Sequence, residues 1–303
     1  LSDRPTVDVV IPFRGSPAEL EALLAATEAI ALREGDSLSI VDNRPGAAAP
    51  PAEASGTTAR RLIADGRVAG SYYARNRGAE GGGGEWILFI DADVIAPGDL
   101  LDRYFQAPVA DDVAVLAGSV RDEAGWPQDG RRRAARYTYL RAAMSQANTL
   151  RSGTWGYAQT ANCAVRRRAF ESVGGFTADI RSGGDADLCF RLRTAGWQLA
   201  AREEARAVHR SRPTLRALLR QRARHGSGVA WLNTRYPGSF PPRRYAGMLA
   251  WSLRQGVGAL SALLGHRDGD RAVLLGIDVL TLWAFELGRL VPNRARRVGG
   301  PHA

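Results

Sequence analysis

Lysine is missing from this chain of 303 residues: all 41 basic side chains are arginine, set against 31 acidic ones, for a formal charge of +10. The two cations differ in effect only where geometry matters, so so complete a replacement points to GC-rich coding rather than to selection at each position. Cysteine is scarce too. Cys163 and Cys189 lack metal-ligand spacing and exclude a disulfide scaffold, which leaves a reducing cytosol as the expected compartment. The first seven residues carry no charged-then-apolar leader, so secretion is not indicated. No repeat period and no nucleic-acid module is found. Phe13-Arg14-Gly15-Ser16, after the first apolar run, is not the GxGxxG of a dinucleotide-binding enzyme. Uninterrupted apolar runs of bilayer length are also lacking. Residues 245–264 and 271–291 approach it, but Arg254 and Gln255 break the first, and Asp278, Glu286 and Arg289 break the second. Amphipathic helices, packed on the domain or lying on a membrane surface, are therefore expected in place of spans.

What is present is the composition of a globular protein, 45% hydrophobic and 24% charged, long enough for one large domain or a domain with an appendage. The basic excess favours anionic partners such as nucleoside diphosphates or lipid head groups. Residues 7–12 read as a buried strand, and Ser16-Pro17-Ala18-Glu19 as an N-cap, a proline at N1 and a capping-box acid opening a helix with Leu20, Leu23, Leu24 and Ile30 on one side. Strands are expected at 37–41, 68–73, 113–120, 162–166, 197–201 and 205–209. Helical stretches are expected at 57–64, 98–106, 137–150, 168–173 and 185–195, and loops at 44–56 and 123–133. Strand–helix alternation predicts an α/β fold with a largely parallel central sheet flanked by helices. From 213 onward the pattern is helical, beginning with a basic amphipathic stretch at 214–232.

The most informative stretch is Glu85-Trp86-Ile87-Leu88-Phe89-Ile90-Asp91-Ala92-Asp93. Five apolar residues read as a strand buried on both faces, and the carboxylates fall at its carboxyl end, where ligands bind in such sheets. Hard oxygen donors there suit Mg²⁺ or Mn²⁺ bound with substrate phosphates. An Asp-rich turn closing the strand explains the same nine residues. Three further predicted strand ends, Pro12-Phe13-Arg14, Asp42-Asn43 and Arg75-Asn76, open on the same edge.

Taken in order, the motifs resemble those of the family 2 glycosyltransferases with a GT-A fold. They are Val9-Val10-Ile11-Pro12, Val41-Asp42-Asn43, Ala74-Arg75-Asn76-Arg77-Gly78, the Asp91-Ala92-Asp93 strand and Asn162-Cys163-Ala164-Val165-Arg166-Arg167. Val173-Gly174-Gly175-Phe176 and Gly184-Asp185-Ala186-Asp187-Leu188 complete the set, which spans roughly residues 6–230. His225-Gly226-Ser227 with Arg235-Tyr236-Pro237-Gly238 resembles the mycofactocin-type branch of that family.

The resemblance implies a catalytic domain at 1–212 and a helical region at 213–303. It implies inverting transfer of a hexose from a nucleoside diphosphate sugar, UDP-sugars first, to a hydroxyl of a glycan, a lipid-linked acceptor or a peptide-derived natural product. The cytoplasm, with peripheral contact at the inner membrane face through the C-terminal helices, is the matching location. Asp93 is implied as a ligand of Mn²⁺ or Mg²⁺, supported by Asp91 and, at a strand end, His209. Pro12, Arg14, Asp42, Asn43, Arg75, Asp91, Ala92, Asp93 and Asn162 are implied donor contacts, with Asp185 as base. Each has a plain alternative: an Asx-turn at Asp42-Asn43, a surface arginine at 75, a helix N-cap at Asp185 and a structural imidazole at His209. Arg220, Arg222, Arg224 and His225 resemble the segment that closes over the diphosphate, and a solvated helix face explains them as well. Trp155, Gly156, Tyr157 and Gln159 are placed on the acceptor side, with core packing as the alternative. The sequence departs from the pattern at Gly184, where the family has an acidic residue. Two other readings stay open: a sugar-phosphate nucleotidyltransferase, for which the loop after the first strand is a poor match, and a membrane-surface scaffold with a decayed site.

Overall fold

A computed structural model describes residues 4–47, 60–123, 133–142, 144–210, 214–242, 245–264 and 269–297. In chain order the elements begin β1 (Val7–Phe13), α1 (Pro17–Thr27), β2 (Ser37–Asp42), β3 (Arg60–Ala64), β4 (Val68–Ala69), α2 (Ser71–Ala79) and β5 (Trp86–Ile90). They continue with β6 (Val94–Ile95), α3 (Leu100–Tyr104), β7 (Val113–Asp122), α4 (Arg133–Leu140), α5 (Gln146–Leu150), β8 (Asn162–Arg166) and α6 (Arg167–Ser172). The last are α7 (Gly184–Thr194), β9 (Gln198–His209), α8 (Leu215–Arg235), α9 (Tyr245–Leu264), α10 (Gly269–Gly288) and β10 (Arg296–Arg297). Contacts divide the chain into two units. The first is Leu1–Arg121, Met144–Arg210 and Arg294–Ala303; the second is Asp122–Ala143 and Ser211–Asn293.

The first unit is built on an eight-stranded sheet in the order β3-β2-β1-β5-β8-β7-β9-β6. β3, β2, β1 and β5 run parallel, as the alternating pattern predicts. From β8 onward the pairing turns antiparallel (β5 with β8, β7 with β8, β6 with β9), so the sheet is mixed. All five residues of β5 are buried, and the core around it joins Val9, Ile11, Leu38, Ile40, Leu88, Leu100, Leu116 and Ala205. The capping box at α1 forms as expected: Glu19 N–H donates to the Ser16 hydroxyl and Ser16 N–H to the Glu19 carboxylate. Leu20 and Leu23 are buried beneath it, whereas Leu24 faces solvent and Ile30 lies past the helix end.

Several expected elements come out differently, among them the single helix expected at 137–150, which is two, α4 (Arg133–Leu140) and α5 (Gln146–Leu150). The helix expected at 57–64 is in part strand β3: residues 60–64 pair with β2 from Leu38↔Arg60 to Asp42↔Ala64, and the remainder lies outside the described residues. An unpaired sheet edge overrides the helical preference of Arg-Arg-Leu-Ile-Ala. The strand expected at 68–73 lasts two residues before α2 begins at Ser71. The Asn43 side chain causes that turn: its amide donates to Asp65 O at 2.6 Å and Val68 O at 2.8 Å, and accepts from Gly70 N–H at 3.0 Å. Arg75-Asn76 therefore sits on a helix and not at a strand end. The two closing strands are one, β9. The loops at 44–56 and 123–133 lie largely outside the described residues.

The second unit packs α4, α8 and α10 around Ala134, Tyr137, Leu218 and Ile277. Gly226 on α8 and Gly288 on α10 let two backbones touch: a Cβ on either would lie 1.9 Å from a carbonyl oxygen of the other helix. The charges that interrupt the apolar pattern are satisfied within the unit. Asp278 accepts from Tyr137 at 2.8 Å and from Arg141, and Glu286 pairs with Arg289 at 3.4 Å. Among the described residues no helix is long and apolar enough to cross a membrane.

Candidate active site

The end of β5 sets the site. Beyond Ile90 the chain turns, with Val94 N–H donating to Asp91 O at 3.0 Å, and continues as β6. β6 pairs antiparallel with the end of β9 in the register Val94↔His209, and Arg210 N–H donates to Asp93 O at 2.8 Å. This register, which joins residues more than a hundred positions apart, brings His209 Nε2 to 3.5 Å from Asp93 Oδ2. The imidazole is buried and the carboxylate is 38% exposed, so one donor is fixed and the other faces outward.

Two donors at this spacing fit one divalent ion at bond lengths of about 2.0–2.2 Å. Among the described residues no group of three or more His, Cys, Asp and Glu is disposed around a metal position. Were a divalent ion held there, Asp93 and His209 would fill two of its positions and leave the others open. Asp91, expected beside them, is engaged by the Arg75 guanidinium.

Arg75 is not a surface arginine. It is buried, with its guanidinium 5.5 Å from the Tyr72 ring centroid and 5.9 Å from that of Phe176. α2 carries it because Gly78 lies close on β1, where a Cβ would come within 2.4 Å of Val10, and because Asn76 clamps Phe176 by two hydrogen bonds of 2.9 Å. Burial lowers the Arg75 pKa, but the fields of Asp91 and Asp185 outweigh it and hold it above its ordinary value. Desolvation raises the Asp91 carboxyl, Asp93 and Asp185 push the same way, and Arg75 and His209 oppose them. Geometry joins the same groups: Arg75 pairs with Asp91, His209 lies 3.5 Å from Asp93, and Asp91 N–H donates to Ala161 O at 3.3 Å beside Thr160, whose N–H donates to Asp185.

Asp185 lies in the first turn of α7. The cap of that helix is Gly183, at φ +85°, so the N-cap role foreseen for Asp185 does not hold. Its Oδ2 accepts from Thr160 N–H at 3.3 Å, while Oδ1 is buried with no hydrogen-bond partner. Arg75 Nε is likewise buried and unbonded. A buried acceptor and a buried donor without partners in one site are suited to meeting a polar ligand. Asp187 has a structural role: it is wholly buried, bonded to Thr177 at 2.8 Å and paired with Arg191 at 2.9 Å.

Tyr72 was not foreseen. Burial raises its phenol well above the ordinary range, Asp185 adds to that, and Arg75 opposes it. A Cβ at residue 184 would lie 2.7–2.8 Å from three Tyr72 ring atoms, so the ring occupies the space any side chain at that position would need. The glycine in the acidic place was the one available signal. Tyr157, expected on the acceptor side, has its phenol raised by burial first and then by the Asp185 carboxylate. Trp155 packs edge-on to Phe190 at 5.0 Å, and the Gln159 amide donates to Ser145 O at 3.3 Å.

Other expected donor contacts serve the fold. Asn162 is fully buried, accepting from the Tyr104 hydroxyl at 2.7 Å and donating to Ser119 O and Ala205 O at 3.1 and 2.8 Å, which ties β8 to its neighbours. Asn43 spends its amide on the turn already described, and Asp42 is a buried Asx-turn residue bonded to Arg44 N–H at 3.2 Å and to the Arg44 guanidinium. Pro12 and Ala92 are half-buried and Arg14 is exposed on the same sheet edge. Arg220, Arg222, Arg224 and His225 lie on α8 of the second unit.

A mixed sheet whose parallel half ends in an acidic Asp-x-Asp turn, flanked by helices, is the GT-A glycosyltransferase fold. Residues 86–284 match the family described as glycosyl transferase family group 2, and the chain belongs to it. It is 28% identical over 270 residues to the pre-mycofactocin glycosyltransferase of Mycobacterium tuberculosis, covering 85% of this chain and only 55% of that protein. This agrees with the branch resemblance seen in the sequence. It is also 28% identical over 232 residues to glycosyltransferase AglE of Haloferax volcanii, covering 75% of this chain and 74% of that one. A crystal structure of GalNAc-T7 with UDP, GalNAc and Mn²⁺ is similar at TM-score 0.52 and 14% identity, over 84% of this chain and 51% of that one.

Proposed function

We propose that this chain moves a hexosyl group from a nucleoside diphosphate sugar, a UDP-sugar first, to an acceptor hydroxyl with inversion. The observation that carries the reading is that one short segment joins the two acidic groups: Asp91 N–H donates to Ala161 O at 3.3 Å, and the neighbouring Thr160 N–H donates to Asp185 Oδ2 at 3.3 Å. Asp185 offers its unbonded Oδ1 as base: the acceptor oxygen bonds to the anomeric carbon, its proton passes to Asp185, and the nucleoside diphosphate leaves with the electron pair of the broken C–O bond. Arg75, with its unbonded Nε, faces the donor, while Asp91 holds its guanidinium in place. Asp93 and His209 are the residues to hold a divalent cation, which when bound supplies charge neutralisation on the diphosphate. A peptide-derived acceptor of the pre-mycofactocin kind is the first to test.

Donor turnover and nucleotide binding test this reading together. Asp185→Asn should leave Mn²⁺-dependent UDP binding in place and lower transfer by about 10²–10⁴-fold. Asp93→Ala should abolish the metal dependence of binding. Wild-type transfer rates in Asp185→Asn would remove the base assignment, and no nucleotide binding by the unaltered chain would remove the reaction.

A further inference from the structure

We infer that the second unit docks on an anionic lipid surface through the exposed face of α9. No residue of α9 is buried. Leu249, Leu253, Val257, Leu260, Leu263 and Leu264 are 54–71% exposed. Single exposed leucines are ordinary on a protein surface. These six are not scattered. At about 100° per residue they share an arc of roughly 120° with Tyr245, a continuous stripe along the length of the helix. Leu280 and Leu287 of α10, which packs on α9, are exposed as well. An apolar face of this extent marks a place of attachment.

Charge identifies the occupant. The second unit holds 17 arginines against 7 acidic residues, whereas the first holds 24 of each, so the whole excess of +10 resides in the helical unit. Within Tyr245–Leu264 there is no acidic residue, the one cation, Arg254, is exposed outside the apolar arc, and Arg243-Arg244 immediately precede the helix in sequence. The net basic excess of this unit, with Arg254 on α9 itself, favours an anionic surface over a neutral apolar partner. A bilayer surface takes both: leucines enter the acyl boundary while guanidiniums meet anionic head groups. Crossing the bilayer is a different arrangement, and no described helix is long and apolar enough for it. The inference is independent of the proposed reaction, because no residue of α9 belongs to the site built on β5 and α7.

The test is flotation of the full chain with phosphatidylcholine vesicles, with and without roughly one third phosphatidylglycerol, alongside gel filtration with light scattering. The expected result is binding to the anionic vesicles alone, weakened as salt rises from about 0.1 to about 1 M and the Debye length falls from about 10 to about 3 Å. Leu253→Asp with Val257→Asp, at positions that support no core, should lower the partition coefficient by a factor of ten or more, on the order expected for losing two inserted apolar side chains. Arg254→Glu should lower it less, and both variants should keep the wild-type far-UV circular dichroism and thermal midpoint. Absence of flotation with the anionic vesicles would overturn the inference. So would a dimer that the double aspartate variant converts to monomer, since the face would then join two copies of this chain.

Discussion

Gly184→Ala is the substitution whose outcome the geometry fixes most tightly. The position opens α7 with unstrained backbone, and alanine at an unstrained glycine normally stabilises by about 0.4–1 kcal/mol through the unfolded chain. Here the added methyl would lie 2.7 Å from Tyr72 Cε1 and 2.8 Å from Cδ1 and Cζ. The ring has little room to give, since it is buried, with Phe176 at 5.5 Å between centroids and the Arg75 guanidinium also 5.5 Å away. Overpacking of this kind costs about 1–3 kcal/mol. The balance is a net loss on the order of 1–2 kcal/mol, or a melting midpoint lower by about 2–8 °C. A double-mutant cycle followed by thermal denaturation measures the contact itself. In a Tyr72→Ala background the same Gly184→Ala change should be neutral or stabilising, while in Tyr72→Phe, which keeps the ring, it should still destabilise. Equal effects of Gly184→Ala in the wild-type and Tyr72→Ala backgrounds would refute the reasoning.

Further outcomes follow from the ion pairs of the first unit. Asp187→Ala leaves the Arg191 guanidinium without its carboxylate in a buried place and should cost about 3–5 kcal/mol by urea denaturation, with Arg191→Ala comparably severe. Burial alone would raise the Asp36 carboxyl, but Arg4 and the amides of Arg33 and Val7 hold it below its ordinary range. A depressed carboxyl contributes stability above its unfolded pKa of about 3.9 and loses it as pH falls through the folded value. The urea midpoint of the wild type should therefore drop more steeply between about pH 5 and pH 3 than that of Asp36→Asn. Identical acid limbs in the two proteins would show that Asp36 carries none of the dependence.

Much of the frame could be read directly because local pattern reports burial and chain reversal. The apolar run into Asp91 gave β5 and the location of the acidic turn. Ser16 to Glu19 gave the start of α1, and the apolar spacing from 245 to 264 gave α9 at both ends. Pattern failed where an interaction from elsewhere in the chain decided. β3 is a strand because β2 offers an edge, and α2 starts early because Asn43 reaches across to Val68 and Gly70. Asn43 and Asn162 carry the residue type of a ligand contact, yet their polar atoms are consumed by the fold, which composition and spacing do not record.

By itself the sequence determined the alternation of strand and helix, the carboxylates closing β5 and the family to which the chain belongs. Only tertiary structure decided that His209 meets Asp93, that Arg75 is buried against Asp91, and that Tyr72 fills the space beside Gly184. The physical reason is that periodicity and capping act within a few residues of chain. Register between β6 and β9 and packing of α2 on the sheet join residues tens to more than a hundred positions apart, and only the folded sheet selects which of them meet.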